Sequence, residues 1–178
     1  LKPWNGYLSS QPTISKSQPV YDIEITSNTQ ASPQGMPISL KIAEKAKALK
    51  SMGYELGRIF QIRDDVLGVW GGEETGKPVG ADIKRKKKAL PAVHALSTST
   101  GASAERIQDI FRTEGDLDDE DIHVVLEVME SLGTQDYCQS MAEQRWVECQ
   151  RMIESLELSG STGKEFTELG EFLLVRES

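Results

Sequence analysis

Residues 56–96 read LGRIFQIRDDVLGVWGGEETGKPVGADIKRKKKALPAVHAL. The first half of this stretch is helical in pattern. Apolar residues recur at Leu56, Ile59, Phe60, Ile62, Val66, Leu67, Val69 and Trp70, with the three- and four-residue spacing of a buried helix face. Asp64 and Asp65 interrupt that face. Adjacent carboxylates in apolar surroundings repel each other and are costly to desolvate, so they persist only beside compensating positive charge. Hard carboxylate oxygens favour Mg²⁺ as that charge. A polar, glycine-rich loop is expected over residues 71–82, and Lys77, Lys84, Arg85, Lys86, Lys87 and Lys88 lie within it and just beyond. Carboxylates, a flexible loop and then lysines suit a diphosphate bridged by Mg²⁺, with the lysines neutralising the remaining charge. Gln61 adds a hydrogen-bonding side chain at the same mouth. Taken singly, an Asp-Asp pair is usually a solvated helix face and a lysine run is usually surface. Their combination at this spacing is what argues for a site.

Working outward, the same periodicity runs back through Met52, Leu49, Ala46 and Ile42 to Ile38. It predicts one long helix from Ile38 to about residues 69–72, stopped by Gly71 and Gly72. Forward, a helix is expected from about Lys84 through Leu90, Val93 and Leu96, with a kink or a fresh start at Pro91. Ser103 is expected to cap a helix carrying Ile107, Ile110 and Phe111, and Asp118 with Asp121 to cap one carrying Ile122, Val125, Leu126, Met129 and Leu132. Gly133 ends that helix and Thr134 opens a longer one through Leu156. A last helix is expected from about Lys164 to Arg176. The fold class read from this pattern is all-α, a helical bundle.

Residues 1–37 differ. They hold five of the seven prolines, are rich in Ser, Thr, Asn and Gln, and offer one short strand-like run from Val20 to Ile25. They read as a leader that is disordered or foreign to the fold of the rest, leaving 38–178 as the folded part. The 178 residues carry a net charge of -8, which argues against non-specific nucleic-acid binding. No apolar run reaches the roughly 20 residues of a membrane span, so a soluble, cytoplasmic protein is expected. Cys138 and Cys149 fall on one expected helix, about 16 Å apart along its axis, too far for a disulfide. The acidic cluster from Asp116 to Asp121 reads as helix-terminal charge rather than a metal site. His94 and His123 lack partners at metal-ligand spacing.

The runs FQIRDDVLG, GKPVGADI and KKALP resemble the second aspartate-rich region of the trans-isoprenyl diphosphate synthases, the polyprenyl synthetase family. Phe60, Gln61, Asp64, Asp65, Gly76, Lys77, Gly80, Asp82, Lys87, Leu90 and Pro91 carry the resemblance. It extends more weakly to the closing GEFLLVRES and covers about residues 39–178. It implies part of an isoprenoid-synthase-type helical bundle, namely the C-terminal half of that enzyme's domain. It also implies the family's reaction: Mg²⁺-assisted departure of diphosphate from an allylic diphosphate, then attack by isopentenyl diphosphate on the allylic cation. By position, Asp64 and Asp65 would serve the metal, with Asp65 either a second ligand or a partner that orients the first. Lys77 and Lys87 would contact the allylic diphosphate, and Gln61 and Phe60 would line the substrate pocket. Asp82 would orient a lysine or a metal-bound water.

Two departures from the family pattern bear on function. Gly68 stands where a third aspartate is usual, which is expected to weaken one metal contact. The first aspartate-rich motif and its following arginine pair do not occur in residues 1–60. The chain is therefore expected to reflect a truncated gene, a frameshifted start or a partial assembly and to be inactive alone, or to be a subunit that needs a homodimer mate or another partner to supply the missing half. The alternative is a non-catalytic diphosphate-binding or regulatory subunit. Convergence of Asp64 with Lys77 separates both from an unrelated helical interaction domain.

Overall fold

The computed structural model describes residues 38–72, 76, 78–158 and 160–175. The expectations for residues 1–37 and for Lys77 lie outside the described residues. The chain divides into Leu1–Lys41, of which only the opening turn of a helix is described, and Ile42–Ser178. The described residues form helices and connecting turns, with no strand among them.

The elements are α1 (Ile38–Trp70), α2 (Ala81–Lys84), α3 (Leu90–Thr98), α4 (Gly101–Arg112), α5 (Asp119–Ser131), α6 (Thr134–Leu156) and α7 (Thr162–Val175). The long first helix ends where its glycines begin, as the sequence predicts. The expected helix from Lys84 onward instead resolves into two pieces. The four-residue α2 comes first, and α3 starts afresh at Leu90 with Pro91 in its first turn. Proline is tolerated there because an N–H at that position has no partner within the helix. Residues 86–88 therefore lie between helices. Ser103 does not cap α4. That helix begins at Gly101 behind Thr100, with no side-chain cap. Asp118 does cap α5, its Oδ1 accepting from the Asp121 N–H at 2.9 Å. Gly133, at φ 60, turns the chain from α5 into α6.

Two apolar clusters form the core. In the first, Val69 at the end of α1 joins Ile83, Ala92, Ala95, Ile107, Ile110, Leu117 and the inner face of α5. In the second, Met52, Leu56, Ile59, Ile62 and Val66 of α1 meet Cys138, Ala142, Trp146, Cys149 and Leu156 of α6. The α1 positions advance by four, three, three and four residues, which keeps one stripe against α6. Trp70 packs against both clusters, so the last turns of α1 tie the two together. Arg63 reinforces the seam by donating to Gln139 Oε1 at 2.9 Å, and Arg145 by pairing with Glu55 at 2.8 Å.

The outer layer is set by a glycine. Trp146 is 6% exposed, and its indole lies directly on the backbone of α7 at Gly170. A β-carbon at 170 would fall 1.9 Å from the ring. Cys138 and Cys149 are both free and buried beneath α1. Burial pushes their thiols up to about 12, with help from the Asp65 charge, and to about 11, with help from Glu55 and Glu148. His94 stacks on Tyr137 at 4.0 Å and meets Thr134 Oγ1 at 3.0 Å. It is half-buried, and that burial lowers its pKa. His123 is exposed beside Glu127.

Candidate functional site

The site is assembled where α1 ends. Helical geometry puts Asp64 and Gly68 one turn apart on the same flank, while Asp65 is rotated about 100° toward the core. The side chain of Asp64 is 32% exposed and that of Asp65 9%. The chain then returns to this flank. Gly80, at φ 74, donates its N–H to Val69 O at 2.8 Å, and Ile122 of α5 occupies the space a β-carbon there would need. Only glycine satisfies both the left-handed backbone and the close approach. This lays α2 along the last turns of α1 and buries Ile83. Asp82 comes to rest on Gly68, where a β-carbon at 68 would lie 2.1 Å from Asp82 Oδ2.

The lysine run is then sorted by backbone conformation. Lys86 is left-handed at φ 51 and donates its ammonium to the carbonyl and hydroxyl oxygens of Thr113, at the end of α4. Lys87 points the other way. Its Nζ lies 2.8 Å from Asp82 Oδ2, 3.2 Å from Asp65 Oδ1 and 4.0 Å from Asp64 Oδ2. Lys84, Arg85 and Lys88 are exposed. Burial alone would lower the pKa of Lys87. Hydrogen bonds to Asp82 and Asp65, with the charges of both, outweigh burial and raise it. The ammonium therefore stays charged at neutral pH. Three carboxylates share this one ammonium, which leaves these four groups net negative.

Asp65 has a further task. Its Oδ2 accepts from the Leu90 N–H at 3.0 Å. Leu90 is the first residue of α3, and the residue before it, Ala89, has no side chain able to cap. Asp65 thus caps α3 from a distant helix, and each of its oxygens already accepts a hydrogen bond.

Of the residues singled out by sequence, Asp64, Asp65, Asp82 and Lys87 converge. Phe60 and Gln61 lie one turn before Asp64 on α1, and both are exposed, Phe60 by 38%. Among the described residues, no group of three His, Cys, Asp or Glu side chains is placed to hold a metal ion. The carboxylates gather on the Lys87 ammonium rather than on one another. The donor set still fits a hard divalent cation. It consists of the carboxylate oxygens of Asp64, Asp65 and Asp82, already drawn around one positive charge, with Asp64 at the solvent edge. A surface cavity of about 450 Å³ is lined by Met141, Gln144, Arg145, Val147, Glu148 and Arg151 of α6 and contains none of these groups. Sequence reading overlooked the Asp65 cap on α3 and the close approach of Asp82 to Gly68. A Leu-Pro helix start behind a non-capping alanine was a clue to the first.

Residues 27–129 match the family model described as polyprenyl synthetase. The short chain isoprenyl diphosphate synthase of Methanothermobacter thermautotrophicus is 32% identical over 135 residues, which are 75% of this chain and 40% of that protein. A polyprenyl synthetase from Streptomyces coelicolor has a similar solved structure, with a TM-score of 0.67 at 27% identity over 74% of this chain and 41% of that one. Geranylgeranyl pyrophosphate synthase from Corynebacterium glutamicum, complexed with isoprenyl diphosphate and magnesium, shares the fold with a TM-score of 0.64 at 24% identity, over 73% of this chain and 37% of that one. The chain spans about two fifths or less of the length of the relatives it matches. The all-α fold is that of the isoprenoid synthases. With more than half of its residues inside the family match, the chain belongs to the polyprenyl synthetase family.

Proposed function

We propose that this chain supplies the allylic-diphosphate side of a trans-prenyltransferase of isoprenoid biosynthesis. One observation carries the reading: the Lys87 ammonium is held among Asp64, Asp65 and Asp82, next to a helix flank that presents Phe60 and Gln61. In the reaction the allylic C–O bond breaks and its electron pair leaves with the diphosphate. The double bond of isopentenyl diphosphate attacks the resulting allylic cation, and a proton is then lost. The negative charge that develops on the departing oxygens is what a preorganised cationic site stabilises. Lys87 meets those oxygens, Lys77 is the second cation, and Gln61 and Phe60 line the path of the hydrocarbon. Asp64 is the metal ligand and Asp65 the residue that fixes Lys87 and α3. A magnesium ion held by Asp64 would offset the charge of the leaving group. The magnesium and isoprenyl diphosphate complex of the Corynebacterium protein supports this choice of ion. The protein works in the cytoplasm, paired with a second copy or with a partner chain that completes the site.

The test is calorimetric titration of the purified chain with inorganic pyrophosphate in the presence and absence of Mg²⁺. Binding is expected only with Mg²⁺, and Asp64→Ala is expected to weaken it about tenfold or more, as loss of a charged contact does. Equal binding by wild type and variant would remove Asp64 from the site. The same chain, given isopentenyl diphosphate and an allylic primer, is expected to form no product, because the resemblance implies two aspartate-rich motifs and residues 1–178 contain one. Measurable condensation by the chain alone would overturn that expectation. The alternative of a non-catalytic diphosphate-binding or regulatory subunit predicts the same binding, and also no turnover after a complementing half is added.

A further inference from the structure

We propose that Gly68 and Asp82 form a single positioning device, in which the bare α-carbon at 68 is the seat of the Asp82 carboxylate and Asp82, so seated, holds Lys87 over the Asp64–Asp65 pair. The inference deepens the proposed diphosphate-binding role and rests on it. A β-carbon at 68 would stand 2.1 Å from Asp82 Oδ2, 2.4 Å from its Cγ and 3.1 Å from its Cβ, so any side chain there displaces Asp82. Asp82 gives Lys87 the shortest of its three carboxylate contacts, and Lys87 N–H also donates to Asp82 O at 2.9 Å. The backbone holds Asp82 in place from both sides, through Gly80 N–H on Val69 O and Leu117 N–H on Lys84 O. The carboxylate that α1 lacks at position 68, one turn beyond Asp64, is thus delivered to the same flank from α2. Gly68 is then no weakened copy of an aspartate. Restoring aspartate there would evict Asp82, crowd like charges and release Lys87.

Two measurements on the full chain test this. The first is a thermal-unfolding cycle. Alanine is the better helix former, so Gly68→Ala should raise Tm wherever space allows. With Asp82 present it is expected to lower Tm by about 5 °C, or to prevent folding. With Asp82→Gly the sign is expected to reverse. The same sign in both backgrounds would overturn the seat. The second is titration with Mg²⁺ and inorganic pyrophosphate. Asp82→Asn keeps the shape and removes the charge. It is expected to leave Tm near that of wild type and to weaken binding about tenfold. Gly68→Asp is expected to weaken binding as well. Unchanged binding in Asp82→Asn, or tighter binding in Gly68→Asp, would overturn the positioning role. A wild-type chain that binds no pyrophosphate would sink the proposed function, while the unfolding cycle would still decide the seat.

Discussion

Asp65→Ala is expected to lower stability by about 3 kcal/mol, which for a chain of this length is a fall in Tm of roughly 10 °C. Two losses add. The Leu90 N–H at the start of α3 loses its acceptor, and Ala89 before it has no side-chain oxygen to take its place. Lys87 loses one of its carboxylates in a half-exposed setting, where the loss is damped by solvent. The first loss is therefore the larger. Asp65→Asn separates the two. It keeps an acceptor for Leu90 N–H but brings no charge to Lys87, and should recover more than half of the deficit. Far-ultraviolet circular dichroism during thermal unfolding measures both variants. A fall of under about 1 kcal/mol for the alanine variant would mean that α3 does not depend on this remote cap.

Gly170→Ala is the second large effect, and it runs against local preference. In the interior of α7 alanine should gain about 1 kcal/mol over glycine. Here its methyl group would fall 1.9, 2.3 and 2.6 Å from three carbons of the Trp146 six-membered ring. The ring is rigid and buried, so α7 must lift or the indole must leave its place, and overpacking of this kind costs about 1–3 kcal/mol. We expect a net loss of about 2 kcal/mol, read as the urea midpoint at unchanged slope. In a Trp146→Leu background, with the ring removed, Gly170→Ala should become neutral or stabilising. Additive effects in the double variant would show that the two residues are not in contact.

Much of the fold was legible because its signals are local. The stripe from Ile42 to Val69 marks α1, Asp118 marks the start of α5, and Gly133 followed by Thr134 marks the turn into α6. Pro91 announced a fresh start. The misreadings share one cause. The helix placed around Lys84 became a four-residue turn and then α3, because Gly80 docks on Val69 and Ile122, and no sequence window contains that contact. Ser103 looked like a cap, but the packing of Ile107 and Ile110 set the frame of α4 and left Ser103 inside it. For the site, adjacency and family resemblance singled out Asp64, Asp65 and Lys87, since their chemistry is written in consecutive residues. The reason Lys87 rather than Lys86 turns toward the carboxylates was not legible. It depends on a left-handed backbone at Lys86 and an anchor on Thr113, 27 positions away. Gly68 read only as the loss of a third aspartate because the side chain that fills its space, Asp82, lies 14 residues further along the chain.

The two sulfurs beneath α1 give the molecule an internal reporter. At neutral pH almost no thiolate exists at either position, and neither is open to solvent. An alkylating reagent can then react only after α6 parts from α1. The pace of alkylation becomes a clock for that parting, read at the seam behind the carboxylates, with no probe attached to the surface where substrate would sit.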